Sequence, residues 1–335
     1  MSGATTAGET GRGRLLSVSG LSVVHRDRSA HSLVDDVSFS LDRSRTLAIV
    51  GESGSGKSLT CKAIAGLLDP RLQAGGNVTL DGRPLLDLAE RDWSGIRGKE
   101  IGFVFQNPFS ALNPVLTIAQ QIAEPLRLHA NMSRKDARQE AARLLDLVRI
   151  PQAGRRLDDY PHQFSGGMCQ RVAIAMAMAC KPKLLIADEP TTALDVTVQA
   201  EILDLLADLR GELGLAMVMV THDFGVAAQI ADEIMVMYGG RLMERGSVRD
   251  ILGRSQHPYT LGLLRASPVN GVRGRPLHAI PGSATNVHHD RHGCPFSPRC
   301  EQATAACEIT RPIPQTVGRG HAAACLRLAA REIAA

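Results

Sequence analysis

The residues with the clearest chemistry lie in a short glycine-rich segment near residue 50. Residues 51–58 read Gly-Glu-Ser-Gly-Ser-Gly-Lys-Ser, which matches the G-x-x-x-x-G-K-[ST] spacing of a phosphate-binding loop. Glycines let successive backbone N–H groups turn toward one anion, while the lysine reaches the β- and γ-phosphates and the last serine binds Mg²⁺. We therefore predict a nucleotide phosphate site formed by Gly51, Ser53, Gly54, Ser55, Gly56, Lys57, Ser58 and Leu59.

An acidic pair, Asp188-Glu189, follows an apolar segment much later in the chain. Beside a phosphate loop, Asp188 would hold Mg²⁺ together with Ser58, and Glu189 would orient and polarise the attacking water. Taken alone, such a pair is also typical of a helix N-terminus. Because a phosphate loop is present, we favour the catalytic interpretation.

Three short apolar segments have the length expected of strands that carry these groups: residues 46–50, 184–187 and 216–220. Buried apolar strands separated by helices favour a parallel sheet with helices on both faces, and such a sheet binds ligands at the carboxyl ends of its strands. Apolar residues then recur at helical spacing through residues 134–148, with Ser133 as the predicted N-cap.

These patterns divide the chain into parts. We predict a disordered tail over residues 1–14 and an α/β nucleotide-binding domain over residues 15–252, with a helical subdomain inserted at about 107–180. Residues 253–335 form a predicted accessory domain. Within it, residues 268–314 are rich in Pro, Gly, His and Cys, and their apolar content is too thin for a large core.

Composition narrows the class of function. The net charge is +4 and aromatic residues make up 3% of the chain, which weighs against a nucleic-acid binder that stacks bases on aromatic rings. No apolar run reaches the roughly 18 residues that cross a bilayer. The first residues are small and polar, unlike a signal peptide. We therefore expect a cytoplasmic protein, in which disulfides are disfavoured.

Four further segments follow the order found in one family. Ser165-Gly166-Gly167 precedes the acidic pair by some twenty residues and resembles the ABC ATPase signature sequence. Gln106 resembles the glutamine of the Q-loop, Ala193-Leu194-Asp195 the D-loop, and His222 the switch histidine. With the phosphate loop and the acidic pair, the order resembles the ATP-binding subunits of ABC transporters over about residues 15–252.

The resemblance implies a P-loop NTPase with a RecA-like parallel sheet, an N-terminal antiparallel β region and the inserted helical subdomain. It implies that two ATPase subunits, identical or paralogous, pack head to tail. Ser165, Gly166, Gly167 and Asp195 of one would then act at the ATP of the other. Gln106 would sense Mg²⁺ and water, and His222 would bind the γ-phosphate and hold Glu189. Two membrane permeases are the implied partners, with an external binding protein acting indirectly, at the cytoplasmic face of the membrane.

Two positions depart from the family pattern. Many relatives stack an aromatic ring on adenine, and His25 stands at the matching position. An imidazole stacks with less area, so His25 is our candidate for the adenine contact. Cys169 stands where close relatives carry Arg, directly after the signature turn.

The C-terminal region resembles the importer branch for dipeptides, oligopeptides and nickel chelates, through Gln256-His257-Pro258-Tyr259-Thr260, Leu263-Leu264 and Ile280-Pro281-Gly282.

Cysteines follow with the spacing C-x5-C-x6-C-x17-C: Cys294, Cys300, Cys307 and Cys325. Thiolates suit an iron–sulfur cluster or zinc. The wide gaps favour a [4Fe–4S] cluster, as members of this branch are thought to carry. Zinc or free thiols are the alternatives. His288, His289 and His292 are alternative ligands, although we favour their interpretation as solvated loop residues. Cys61 and Cys180 are interpreted as packing residues.

Two other classes of function remain open from the sequence. A soluble ABC ATPase acting on nucleic acid would usually carry two such domains or coiled-coil insertions, and this chain has one domain and no basic block. A regulatory module that senses ATP and iron–sulfur status would not need Glu189. We therefore favour a transport ATPase that binds Mg-ATP.

Overall fold

A computed structural model describes residues 13–192, 194–267, 279–283 and 292–328 of the chain. The predicted tail falls mostly outside these residues, as do Ala193, His288 and His289. The first strand begins at Arg14, within the segment predicted as tail. No helix among the described residues is long and apolar enough to cross a membrane.

An antiparallel sheet forms the N-terminal part. Its spatial order is β2-β1-β4-β5. Its strands are β1 (Arg14–His25), β2 (Arg28–Asp42), β4 (Leu72–Leu80) and β5 (Arg83–Pro84). Apolar side chains on one face, such as Val18 and Val78, enter a core that also contains Ile64 of helix α1 (Lys57–Ile64). This is the antiparallel region that the family resemblance implied.

A second, larger sheet forms the centre, with the order β11-β12-β10-β9-β3-β8-β7-β6 among the described residues. The strands are β3 (Thr46–Val50), β6 (Ile101–Val104), β7 (Leu184–Asp188), β8 (Ala216–Thr221), β9 (Glu233–Tyr238), β10 (Arg241–Ser247), β11 (Gln315–Gly318) and β12 (His321–Ala323). Pairing is parallel from β6 through β7, β8 and β3 to β9. The predicted strands and their parallel arrangement are confirmed.

Helices between β6 and β7 form the inserted segment. They are α3 (Pro108–Ala111), α4 (Ile118–His129), α5 (Arg134–Leu147), α6 (Ala153–Arg156) and α7 (Gly166–Met178). Helix α5 begins where predicted, since the Ser133 hydroxyl accepts from the Asp136 N–H. Leu145 and Val172 share one core with Leu185 of the central sheet, so this segment is anchored to that sheet.

The remaining helices are α2 (Glu90–Trp93), α8 (Val196–Leu213), α9 (Phe224–Ile230), α10 (Val248–Arg254), α11 (Pro258–Ala266) and α12 (Ala305–Ile309). Helices α11 and α12 belong to the C-terminal region, residues 253–335, and α10 spans its predicted start. This region packs Tyr259 and Phe296 against Tyr238 of the central sheet. Strand β12 also pairs with β10, so this region extends the central sheet.

Candidate functional site

The phosphate loop connects the carboxyl end of β3 to helix α1. Gly56, the N-cap of α1, has φ 96°, and a side chain there would meet Gly240 Cα at 3.1 Å. Only glycine fits this tight turn without strain. Lys57 donates to the carbonyl oxygens of Gly51 at 2.8 Å and Glu52 at 2.9 Å. Its ammonium group therefore lies inside the curve of the loop, although burial lowers the Lys57 pKa.

The candidate magnesium ligands meet at the ends of two adjacent elements. Ser58, in the first turn of α1, donates to Asp188 Oδ1 at 2.7 Å. Burial raises the pKa of Asp188, and the hydrogen bond from Ser58 opposes that shift. A hydroxyl and a carboxylate at this distance supply the hard oxygen ligands that Mg²⁺ prefers.

Glu189 lies at the centre of a polar cluster. Its backbone has φ 48°, a conformation that costs a non-glycine residue free energy and is concentrated at functional sites. Its carboxylate accepts from Gln106 Nε2 at 2.9 Å and from Thr192 Oγ1 at 2.8 Å. His222 Nδ1 lies 3.8 Å from the same oxygen. The fold thus brings three sequence-predicted residues together from three separate segments.

Thr192 is a member of this cluster that the sequence reasoning missed. Its hydroxyl donates to the same Glu189 carboxylate oxygen that lies 3.8 Å from His222 Nδ1. The available signal was its position, three residues after Glu189 in a turn where the Thr192 N–H also bonds the Glu189 carbonyl. A hydroxyl there fixes the direction of the carboxylate.

The signature residues form the N-terminus of α7. Ser165 is its N-cap and accepts from the Met168 N–H at 3.3 Å. A side chain at Gly167 would approach Val198 Cγ1 at 2.4 Å, so the helix can lie against α8 only with glycine there. Asp195 caps α8 by accepting from the Val198 N–H at 2.9 Å. The signature and the D-loop aspartate are therefore neighbours in the fold.

The two departures from the family pattern have different surroundings. His25 ends β1, where it pairs with Arg28 and Leu72 across the antiparallel sheet. Cys169 is fully buried, and its thiol donates to the Pro161 carbonyl at 3.5 Å. The thiol fills a packed site behind the signature turn, so Cys169 acts as a packing residue in α7.

The four C-terminal cysteines line one small cavity, together with His257 and Phe296. Burial raises the pKa of Cys294 to about 11 and also raises that of Cys300. Among the described residues, no three His, Cys, Asp or Glu side chains are spaced as they would be around a metal ion. In the described part of the chain, the four cysteines therefore line the same cavity but are not arranged as metal ligands.

A phosphate loop, an acidic pair and a capped Ser-Gly-Gly helix on one chain define an ATP-binding cassette. The family model described as ABC transporter matches residues 34–192. A second model, described as the oligopeptide/dipeptide transporter C-terminal region, matches residues 243–307.

Individual relatives agree with these matches. The oligopeptide transport ATP-binding protein OppD of Salmonella typhimurium is 48% identical over 294 residues, covering 88% of each chain. A putative peptide import ATP-binding protein of Brucella melitensis is 46% identical and covers 96% of this chain and 98% of its own. A solved dimeric ATP-binding cassette in a post-hydrolysis state with ADP and Pi has a TM-score of 0.63 and 30% identity, covering 70% of this chain and 99% of its own. The chain belongs to the ABC transporter family, among the ATP-binding subunits that carry the oligopeptide/dipeptide C-terminal region.

Proposed function

We propose that this chain is the ATP-hydrolysing subunit of an importer for oligopeptides or dipeptides, or for a related solute such as a nickel chelate. One observation carries the catalytic part: the Glu189 carboxylate is held by Gln106 and Thr192 and lies 3.8 Å from His222. The match of the C-terminal region to the oligopeptide/dipeptide model supports the choice of solute.

Each residue has a role that its contacts support. Lys57 and the loop N–H groups bind the β- and γ-phosphates, while Ser58, Asp188 and Gln106 serve the Mg²⁺. Glu189 accepts a hydrogen bond from the attacking water and aligns it. His222 binds the γ-phosphate and limits the motion of Glu189. His25 is the proposed contact for the adenine.

Two ATPase subunits complete the site between them. Ser165 and the N–H groups of Gly166 and Gly167 lie at the N-terminus of a 13-residue helix, whose dipole attracts an anion. In a head-to-tail pair they contact the γ-phosphate held by the other subunit, with Asp195 beside them. The solved cassette with ADP and Pi is dimeric, which supports the pairing of two subunits. The second subunit is a further copy of this chain or a paralogue.

The permease contact lies beside the Gln106 loop. An apolar cavity of about 250 Å³ opens there, lined by residues of the central sheet and of α4 and α7, including Phe103, Phe105 and Met176. Phe105, adjacent to Gln106, is 40% exposed. A permease segment seated here would act directly on a residue that bonds Glu189. We therefore expect two permeases as partners, an external binding protein as an indirect one, and a peripheral location at the cytoplasmic face of the membrane.

The cysteine-lined cavity is the proposed site of a [4Fe–4S] cluster, with Zn²⁺ as the alternative. The donor set fits, since the four cysteines line one cavity and soft thiolates suit both metals. The thiols must lose their protons and draw closer to ligate. A bound metal would cross-link a region whose own core is small.

Metal analysis of anaerobically purified protein tests this assignment. Cys300→Ser should reduce bound metal to background, whereas Cys180→Ser, outside the cavity, should leave it unchanged. About four irons with equal sulfide per wild-type chain identify the cluster, and about one zinc identifies the alternative. Metal content unchanged in Cys300→Ser, or absent from the wild type, contradicts the assignment.

Peptide uptake by whole cells tests the function itself. Deleting the gene should abolish accumulation of a labelled tripeptide, and the wild-type chain should restore it, as should the exposed-helix control Glu212→Gln. Glu189→Gln should not restore uptake, because the motor would bind ATP without turning over. Uptake restored by Glu189→Gln, or uptake unchanged by the deletion, would refute the proposal.

A further inference from the structure

The C-terminal region reaches the phosphate loop through one acidic residue of that loop. Glu52 occupies the second position of the motif, one of the four that the motif leaves open. Its carboxylate accepts from Arg299 Nη1 at 2.7 Å and from Arg299 Nη2 at 3.1 Å. The Arg299 side chain is 6% exposed and that of Glu52 is 28% exposed, so this two-point ion pair is mostly shielded from water.

The backbone of Glu52 is held from two further directions. Its N–H donates to Tyr259 Oη at 2.9 Å, and Tyr259 is completely buried at the start of α11. Its carbonyl oxygen accepts from Lys57 Nζ at 2.9 Å. Glu52 is thus fixed on one side by the C-terminal region and on the other by the phosphate-binding lysine.

Arg299 is also held in place by contacts other than the one with Glu52. Its Nε donates to the Pro281 carbonyl at 2.8 Å, and its guanidinium lies 5.7 Å from the ring centre of Tyr238 and 6.0 Å from that of Phe296. These contacts orient the guanidinium fork toward Glu52. Arg299 ends a 3₁₀ helix and directly precedes Cys300, so the contact begins at the wall of the cysteine-lined cavity.

We propose that Arg299 is a positioning residue for the phosphate loop and that it acts on Glu52 together with Tyr259. Through these two residues the C-terminal region sets the affinity of the site for Mg-ATP. The loop binds phosphate only when its N–H groups point into the curve that Lys57 fills. Releasing the Glu52 carboxylate leaves the residue held by the C-terminal region through Tyr259 alone, so that the carbonyl that orients Lys57 shifts more easily. The inference rests on the ATPase function proposed above.

The test compares Arg299→Met and Arg299→Lys with a matched control. Arg311→Met removes another arginine that joins the C-terminal region to the N-terminal part, through Asp35 at 3.3 Å and Asp36 at 3.4 Å on β2. Arg299→Met should raise the KM for ATP and the Kd of a fluorescent ATP analogue by about ten-fold, with kcat within about two-fold. Arg299→Lys should recover part of the affinity, and Arg311→Met should leave KM and Kd unchanged.

A purely structural role predicts a different pattern. A folded Arg299→Met with a lower Tm but wild-type KM and Kd overturns the proposal. If that variant does not fold, Glu52→Gln decides: it keeps an oxygen acceptor but loses the charge, and should raise Kd several-fold. An unchanged Kd in Glu52→Gln overturns the inference. Absence of hydrolysis in the wild type, with the shift in Kd still present, would instead count against the proposed function.

Discussion

Glu189→Gln should lower the rate of ATP hydrolysis by about 100-fold or more while leaving ATP binding intact. The amide preserves the shape of the side chain and can still meet Gln106 and Thr192, but it is uncharged and cannot accept a proton from water. Because the γ-phosphate is retained, the ATP-bound dimer should accumulate. Phosphate release measures the first effect, and size-exclusion chromatography with Mg-ATP measures the second.

The matched control for this change is Glu212→Gln, a charge-equivalent substitution at an exposed position of α8. It should hydrolyse ATP at the wild-type rate and show the wild-type distribution of monomer and dimer. Normal turnover in Glu189→Gln would show that the water is activated elsewhere, and the assignment of the catalytic base would be wrong.

Lys57→Ala should weaken Mg-ATP binding by about 100-fold or more and abolish hydrolysis at millimolar ATP. Lys57 supplies the buried positive charge of the site, between Gly51 and Glu52 on the loop and near Asp188 and Glu189. Without it the phosphates lose their ammonium contact and lie near two carboxylates. Equilibrium binding of a fluorescent ATP analogue gives the affinity directly.

Lys99→Ala removes an exposed lysine and serves as the control for general charge effects. Its affinity for nucleotide should equal that of the wild type. If Lys57→Ala binds nucleotide as tightly as Lys99→Ala, the glycine-rich segment is not the phosphate site, and the rest of the catalytic assignment falls with it.

Local signals allowed much of the fold to be predicted. The strand at Thr46–Val50, the glycine turn after it and the Ser133-capped helix are each specified by neighbouring residues, and the structure contains all three. The nucleotide motifs were likewise recognisable because each consists of residues that are close together in the sequence. Their roles in hydrolysis stay predictions.

Contacts between distant segments were not predictable in this way. Arg299 and Glu52 are 247 positions apart, and nothing in either segment alone indicates the other. Strands β11 and β12 are short and weakly apolar, so they carry no alternation that would mark them as part of the central sheet. The C-terminal region was accordingly predicted as an accessory domain, although it completes both the sheet and the surroundings of the phosphate loop.

The most direct test of the central claim is ATP-driven peptide accumulation in proteoliposomes that contain this chain with its permeases, supplied with binding protein and labelled tripeptide. Hydrolysable ATP on the side of this subunit should support accumulation, whereas a non-hydrolysable analogue, or the Glu189→Gln chain with ATP, should not. Accumulation at the same rate with the analogue, or in the Glu189→Gln vesicles, would contradict the claim that hydrolysis at Glu189 powers transport.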